Sequence, residues 1–392
     1  MNNGPVRILE LRSACGAGGG PEKTILLGAE RADPRVKVTV CYIRDARDGA
    51  FSVGDRARQY GVDYVEVVEQ GSFDRRVWTA VRDIVRTRGI QIVHAHDYKT
   101  DLLALLLGRS ERIVPLATAH GWTGHSRRER LLYYPLDKQV LRAFPVTIAV
   151  SSEIRSELIR RGADEDRVRV VLNGIDHRAF RRDRTIARRV RTDLTLLPDD
   201  IVIGSIGRLE PQKRFDLLIE AVASLRARWP RLKLLIAGEG SQRRELKALA
   251  ERRLPPPACQ FLGHRADVVR LHHAFDFYVQ SSDYEGTPNS VLEAMALETP
   301  IVATDAGGTS DILRPNMDGL VVPCGDPGVI AGAIERAILQ PGPTADRVRS
   351  AHRRVETTLS FDRRMTAVEA IYMELAARFP RHVEPAVAEE CA

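Results

Sequence analysis

The chain has 392 residues, more than one ordinary domain holds and enough for two, each with its own core. With 44% hydrophobic and 28% charged residues the composition is globular and excludes wholesale disorder and fibrous repeats. No apolar run approaches the roughly 20 residues that span a bilayer, and a formal charge of +7 admits nucleic acid, an anionic membrane surface or a phosphorylated ligand without choosing among them.

The opening "MNNGPVRILELRS" lacks the apolar core of a signal peptide and runs straight into a strand-like segment, so a cytoplasmic location is expected. In the first half "VRILEL", "VKVTVCYI", "VDYVEVV", "IQIVHA", "IVPLAT" and "PVTIAVS" read as strands. Helix-length segments lie between them, among them Pro21 to Arg31, Asp74 to Arg88 and Arg127 to Arg142. Nearly continuous apolar strands imply burial on both faces of a parallel sheet. After "VRVVLNGIDHRAF" the periodicity lapses, and Arg181 to Thr195 reads as a connecting segment. A second series follows: "IVIGSIG", "LKLLIAG", "CQFLG", "FDFYVQSS", "PIVAT" and "GLVVP".

The fold class is therefore α/β, with two Rossmann-like doubly wound domains in tandem. The expected domains cover residues 1–180 and 196–360, with a closing helix over 361–380 returning toward the first domain. Ligands of such sheets sit beyond the carboxyl ends of the strands, and a cleft between facing domains is the expected place. "RHVEPAVAEECA" reads as a loose tail. The five cysteines show no metal-type spacing.

Three strand-to-helix junctions in the second half carry unusual residues. In "GSIGRLEPQKRFDLL" Arg208 and Lys213 bracket a short loop before a helix, and two cations beside free backbone N–H groups form a seat for a diphosphate. In "LLIAGEGSQRREL" Gly238 and Gly240 let the backbone approach a ligand closely. In "YEGTPNSVLEAMAL" Pro288 suits the first helical position with Thr287 as N-cap, so that the N–H groups of Asn289, Ser290 and Val291 face an anion. Glu293 lies one turn further along an apolar helix, and a buried carboxylate there suits a diol such as a ribose. Glu285, in the preceding loop, suits sugar hydroxyls or developing positive charge.

The run Glu285 to Glu293 is an E-x7-E signature. With "GRLEPQK", the "AVSSEI…NGID" segment and a glycine-rich first loop, the chain resembles the retaining, nucleotide-sugar-dependent glycosyltransferases of family 4 (glycosyl transferases group 1), which adopt the two-domain GT-B fold. The resemblance implies that Arg208 and Lys213 neutralise the donor diphosphate without a metal or other cofactor. It implies that Glu293 holds the ribose, that Glu285 contacts the donor sugar, and that Asn289 to Val291 complete the phosphate cradle. The segment around Gly263, His264 and Arg265 is similar to the one that lies against the base. In "SACGAGGGPEKTI" Gly19 and Gly20 would lie close to the diphosphate and Glu22 would face the acceptor side. His120 in "LATAHGWTGHSRRER" is similar to the family's cleft histidine, which contacts the donor sugar.

"HAHDYKTD" puts His94 and His96 on one strand face with Asp97 nearby, but no further ligand completes a metal site in the sequence. "DED" at Asp164 to Asp166 reads as a solvated turn. The segment "SRRERLLYYPLDKQVLRAF" joins Arg127, Arg128, Arg130, Lys138 and Arg142 to leucines and tyrosines and admits peripheral contact with the inner face of a membrane, near a lipid-linked or glycan acceptor. The expected activity is hexosyl transfer from a nucleoside-diphosphate sugar to a hydroxyl acceptor, in polysaccharide, glycolipid or glycoside biosynthesis. A nucleotide-sugar 2-epimerase is the alternative on the same architecture. A nucleic-acid partner is not expected, since the basic residues are spread without an aromatic stacking platform.

Overall fold

The computed structural model describes residues 4–16, 19–71, 74–122 and 129–380, without the side chains of residues 129 and 130. The tail from Arg381 onward, and Arg127, Arg128 and the side chain of Arg130 in the basic segment, lie outside the described residues. Two compact units make up the chain. Unit 1 holds the residues through Ala149, Glu157–Arg169 and the segment from Met365 onward, and unit 2 holds Val150–Ser156 and Val170–Arg364.

Strands and helices alternate as β1 (Val6–Ser13), α1 (Gly20–Glu30), β2 (Val36–Asp45), α2 (Val53–Tyr60), β3 (Tyr64–Glu69), α3 (Arg75–Thr87), β4 (Ile92–Ala95), α4 (Tyr98–Glu111), β5 (Val114–Ala119), α5 (Tyr134–Val140), β6 (Thr147–Ala149), α6 (Ser152–Arg160) and β7 (Val168–Val170). They form a seven-stranded sheet of order β3-β2-β1-β4-β5-β6-β7. Parallel pairing sets Glu10 opposite His94, and His94 opposite Leu116. Adjacent residues Ile8 and Leu9, and Ile92 and Val93, are all fully buried. Neighbours on a strand point to opposite faces, so both faces of the sheet are covered.

The series continues as α7 (Ala187–Asp193), β8 (Ile201–Ile206), α8 (Phe215–Leu225), β9 (Leu232–Ala237), α9 (Arg243–Arg253), β10 (Cys259–Gly263), α10 (Val268–His272), β11 (Phe277–Gln280), α11 (Asn289–Ala296), β12 (Ile301–Thr304), α12 (Thr309–Ile312), β13 (Leu320–Val322), α13 (Pro327–Leu339), α14 (Pro341–Thr357) and α15 (Phe361–Arg378). The second sheet is parallel, with order β10-β9-β8-β11-β12-β13. Its β8 shows why helices cover both faces. Ile203 packs with Leu218 and Val222 of α8 and Ile330 and Ile334 of α13, whereas Val202 packs with Val190 of α7 and Leu271 of α10.

Two expectations need correction. The first domain does not run unbroken to 180, because Val150–Ser156 and the stretch from Val170 belong to unit 2. Arg181 to Thr195 is not merely a connector. The Arg182 guanidinium donates to the His272 carbonyl at 2.7 Å, Arg191 pairs with Asp276 at 2.5 Å, and α7 buries Val190. Charged composition hid a segment whose guanidiniums satisfy backbone carbonyls of unit 2.

Candidate active site

In unit 2 the residues singled out from sequence gather on the loops that follow β8, β9, β10 and β11. After β8 the chain turns through a short 3-10 segment at Pro211–Lys213, and Arg214 begins α8 from a left-handed conformation, φ +47°. Lys213 Nζ donates to Glu285 Oε1 at 2.6 Å, and Ser282 Oγ donates to the same oxygen at 2.6 Å. The pair is mostly shielded, with side chains 18% and 10% exposed. Backbone bonds fix both loops: Ser281 Oγ donates to the Lys213 carbonyl at 2.9 Å and the Asp283 amide to the Gln212 carbonyl at 2.8 Å. Arg208 is exposed on the same β8 loop.

Gly238 answers a local geometric demand. At φ +148° a Cβ there would sit 1.8 Å from the Gly207 carbonyl oxygen, and a Cβ at Gly240 would lie 2.4 Å from that of Leu209. The β8 and β9 loops therefore cross backbone against backbone. Gly307 and Gly308, which the sequence reading passed over, do the same beneath Glu285. A Cβ on either would meet the Glu285 or Gly286 carbonyl at 1.9 Å. The paired glycines after a strand in "ATDAGGTS" were the available signal.

The start of α11 differs from expectation. Pro288, with ψ 97°, is the N-cap and Asn289 the first helical residue. Thr287 does not cap, because its hydroxyl donates to the Val150 carbonyl. The Val291 amide donates to the Pro288 carbonyl at 3.0 Å, so it is not available for an anion cradle. Only the Asn289 and Ser290 amides precede the first intrahelical bond. Asn173 of "NGID" holds this end of the helix, donating to Asn289 Oδ1 at 3.1 Å. Glu293 is 8% exposed on a helix whose Val291, Leu292, Ala294, Met295 and Ala296 are fully buried. His264 is exposed just beyond β10, and Arg265 forms a two-pronged pair with Asp267 at 2.7 and 2.6 Å.

In unit 1 Gly19 and Gly20 open α1. The Gly19 amide donates to Glu22 Oε2 at 2.5 Å, and Arg12 Nε donates to Glu22 Oε1 at 2.7 Å. Glu22 is buried, so its carboxylate caps the helix and neutralises Arg12 instead of facing an acceptor. "DED" is an exposed turn capped by Asp164, which accepts from the Asp166 amide.

Beneath the β4 and β5 ends of the sheet lies a group the sequence left incomplete. Glu10 of β1 joins His94 and His96, giving three possible metal-donor atoms within 4.8 Å of one another. Among the described residues this is the group that could hold a cation. As it stands its atoms bond to one another. His96 Nε2 meets Glu10 Oε2 directly, and His94 Nδ1 lies 3.2 Å from Glu10 Oε1. Tyr372 of α15 donates to Glu10 Oε1 at 2.6 Å and lies 2.7 Å from His94 Nδ1, while His94 Nε2 meets Thr118 Oγ1 at 2.7 Å. His96 Nδ1 lies 3.1 Å from Nε2 of His120, which follows β5 and is partly exposed. Burial works to raise the Glu10 carboxyl, but His94 and His96 outweigh it and hold it well below the usual range. Burial pushes His96 down to about 4, so its ring is neutral at neutral pH.

A second acid group joins α4 to α5. Asp101 of α4 and Asp137 of α5 interact, so that a proton held by one would bond it to the other, and Trp122 Nε1 donates to Asp137 Oδ2 at 2.9 Å. Burial raises both carboxyls, Asp137 to about 6 and Asp101 well above the usual carboxylate range.

The family model for glycosyl transferases group 1 matches residues 188–355, and that for glycosyltransferase family 4 matches residues 18–179. The chain is 31% identical over 275 residues to the glycosyltransferase EpsD of Bacillus subtilis, covering 68% of this chain and 72% of that one. It is 29% identical over 349 residues to a D-inositol 3-phosphate glycosyltransferase of Saccharomonospora viridis, covering 80% and 78%. Its fold matches that of Anabaena Alr3699/HepE, solved with UDP and glucose, at a TM-score of 0.83 with 20% identity over 94% of this chain and all of the other. It also matches sucrose-phosphate synthase of Thermosynechococcus elongatus at 0.78, with 19% identity over 95% of this chain and all of the other. With two parallel-sheet α/β units and both family models spanning most of its length, this chain belongs to the group 1 glycosyltransferases of the GT-B fold.

Proposed function

We propose that the protein is a retaining, metal-independent hexosyltransferase that moves a sugar from a nucleoside-diphosphate sugar to a hydroxyl acceptor. The observation that carries this reading is the Lys213–Glu285 pair. A cation held by a carboxylate at the carboxyl end of a parallel sheet, with Arg208 exposed on the same loop, can exchange that partner for a diphosphate oxygen. Lys213, Arg208 and the Asn289 and Ser290 amides then stabilise the charge that develops on the leaving diphosphate. Glu285, released from Lys213, accepts from sugar hydroxyls, Glu293 accepts from the ribose diol, and His120 contacts the donor sugar. The Anabaena relative was solved with UDP-glucose, which favours a uridine donor. The relatives above are glycosyltransferases by name, which favours transfer over epimerisation. A thermal-shift panel of UDP-, GDP-, ADP- and CMP-sugars tests the reading, since a bound ligand raises the melting temperature by mass action. No stabilisation by any of them would count against it.

The acceptor is proposed to be lipid-linked or a glycan, met at a membrane surface. Leu131 and Leu132 are 78% and 58% exposed in the turn before α5, and Leu102, Leu106 and Leu136 are also exposed. No helix among the described residues is long and apolar enough to cross a membrane. Exposed leucines in a basic segment suit interfacial contact. Co-sedimentation with vesicles containing anionic lipid tests this, and indifference to lipid charge would remove it.

A further inference from the structure

His120 rests on a buried chain of hydrogen bonds, and the direction of that chain determines which of its nitrogens carries the proton. Glu10 sits on β1, beside the central strand β4 of the sheet and directly opposite His94 on that strand. Its Oε2 contacts His96 Nε2, and His96 Nδ1 contacts His120 Nε2 at 3.1 Å. His94 and Tyr372 saturate the other carboxylate oxygen.

We propose that Glu10 and His96 are positioning residues that lock His120 in one tautomer, protonated on Nε2 with an unprotonated Nδ1. A carboxylate only accepts hydrogen bonds, so His96 must offer Glu10 its Nε2 proton. A neutral imidazole has one proton, which leaves His96 Nδ1 as an acceptor. The remaining contact, to His120 Nε2, is satisfied only if His120 donates from that atom. The neutral His120 ring then carries its lone pair on Nδ1, an atom that can accept a hydrogen bond but not donate one. His96 is buried, and burial disfavours a charged ring at the centre of the chain. Tyr372 and Thr118 fix His94 beside it, with the His94 and His96 rings 4.3 Å apart. Turning the His96 ring over would put carbon atoms where Nε2 and Nδ1 now meet Glu10 and His120, so these two contacts hold the order.

The consequence for activity rests on the glycosyltransferase reading, but the tautomer does not. Protein labelled with 15N-histidine is examined by long-range 1H–15N correlation, the His120 signals being identified by their loss in His120→Asn. The wild-type ring should show a protonated Nε2 and a bare Nδ1. Glu10→Gln supplies an amide that can donate to His96 Nε2, which would reverse the chain and move the His120 proton to Nδ1. Glu10→Gln and His96→Gln should each lower kcat by roughly tenfold or more, as loss of an orienting partner of a functional imidazole does, with KM for the donor nearly unchanged. Wild-type His120 protonated on Nδ1 would overturn the proposal, even if neither variant folds. So would a folded Glu10→Gln that keeps both the wild-type tautomer and the wild-type kcat. Because the nuclear measurement needs no substrate, a protein inactive on every sugar nucleotide would refute the proposed activity while leaving the lock to be judged on its own.

Discussion

The two polar centres of the molecule are built to opposite designs. In unit 2 Lys213 faces Glu285 across loops pinned by glycine contacts, and Arg208 on the same loop is exposed. In unit 1 one carboxylate, Glu10, is enclosed by His94, His96 and Tyr372, whose polar atoms are spent on one another. The Lys213–Glu285 pair could trade one anion for another, because Lys213 would keep an anionic partner throughout the exchange and the exposed Arg208 on the same loop offers a second cation. A buried network cannot, since any broken bond leaves a polar group unsatisfied in a low-dielectric interior. The first centre suits a ligand that comes and goes, and the second suits holding a side chain still.

The largest effect that could break this contrast is at Lys213. Lys213→Ala should lower kcat on the order of 10²-fold or more, as removal of a preorganised charge partner does, and a full-rate variant in a steady-state assay would refute the diphosphate seat. Gly238→Ala should destabilise unit 2 by about 3 kcal/mol, because its methyl collides with the Gly207 carbonyl and its backbone is strained. Chemical denaturation would show this as a lower midpoint, and an unshifted midpoint would contradict the loop crossing. Glu293→Gln should weaken nucleotide affinity about tenfold, as expected for loss of hydrogen bonds to a charged acceptor, with melting unchanged. Unaltered affinity by calorimetric titration would remove the ribose assignment.

The smallest effect concerns pH. Asp101 and Asp137 bind protons more tightly folded than unfolded, so this pair stabilises the native state at low pH. That stabilisation is lost as pH rises from near 4 through about 6 and beyond. Asp97 reinforces the shift on both, while Lys138 opposes it on Asp137 and Arg12 on Asp101. Asp101→Asn should flatten the melting temperature across pH 4 to 7, and a pH dependence equal to that of the wild type would contradict the shared proton.

The contrast also explains what the sequence could reveal. The unit 2 site was legible because its parts are contiguous: "GRLEPQK" and "YEGTPNSVLEAMAL" carry charge and helix signals in short windows. Their mutual contact, Lys213 to Glu285, was not, because 72 residues separate them. The unit 1 centre was hidden for a related reason. Glu10 sits in a strand that reads as apolar, and Tyr372 comes from a helix 362 residues later. The capping of α11 was misread because the Thr287 hydroxyl is claimed by Val150, a partner that no local rule supplies. Similarly, Glu22 looked like a loop-side acid, and only Arg12 shows it to be committed.

The most direct test compares UDP with uridine, by titration calorimetry, on the wild type and on Lys213→Ala. If the cation grips the diphosphate, the substitution weakens UDP binding severalfold or more and leaves uridine binding unchanged. Equal losses for both ligands, or none for either, would contradict the account.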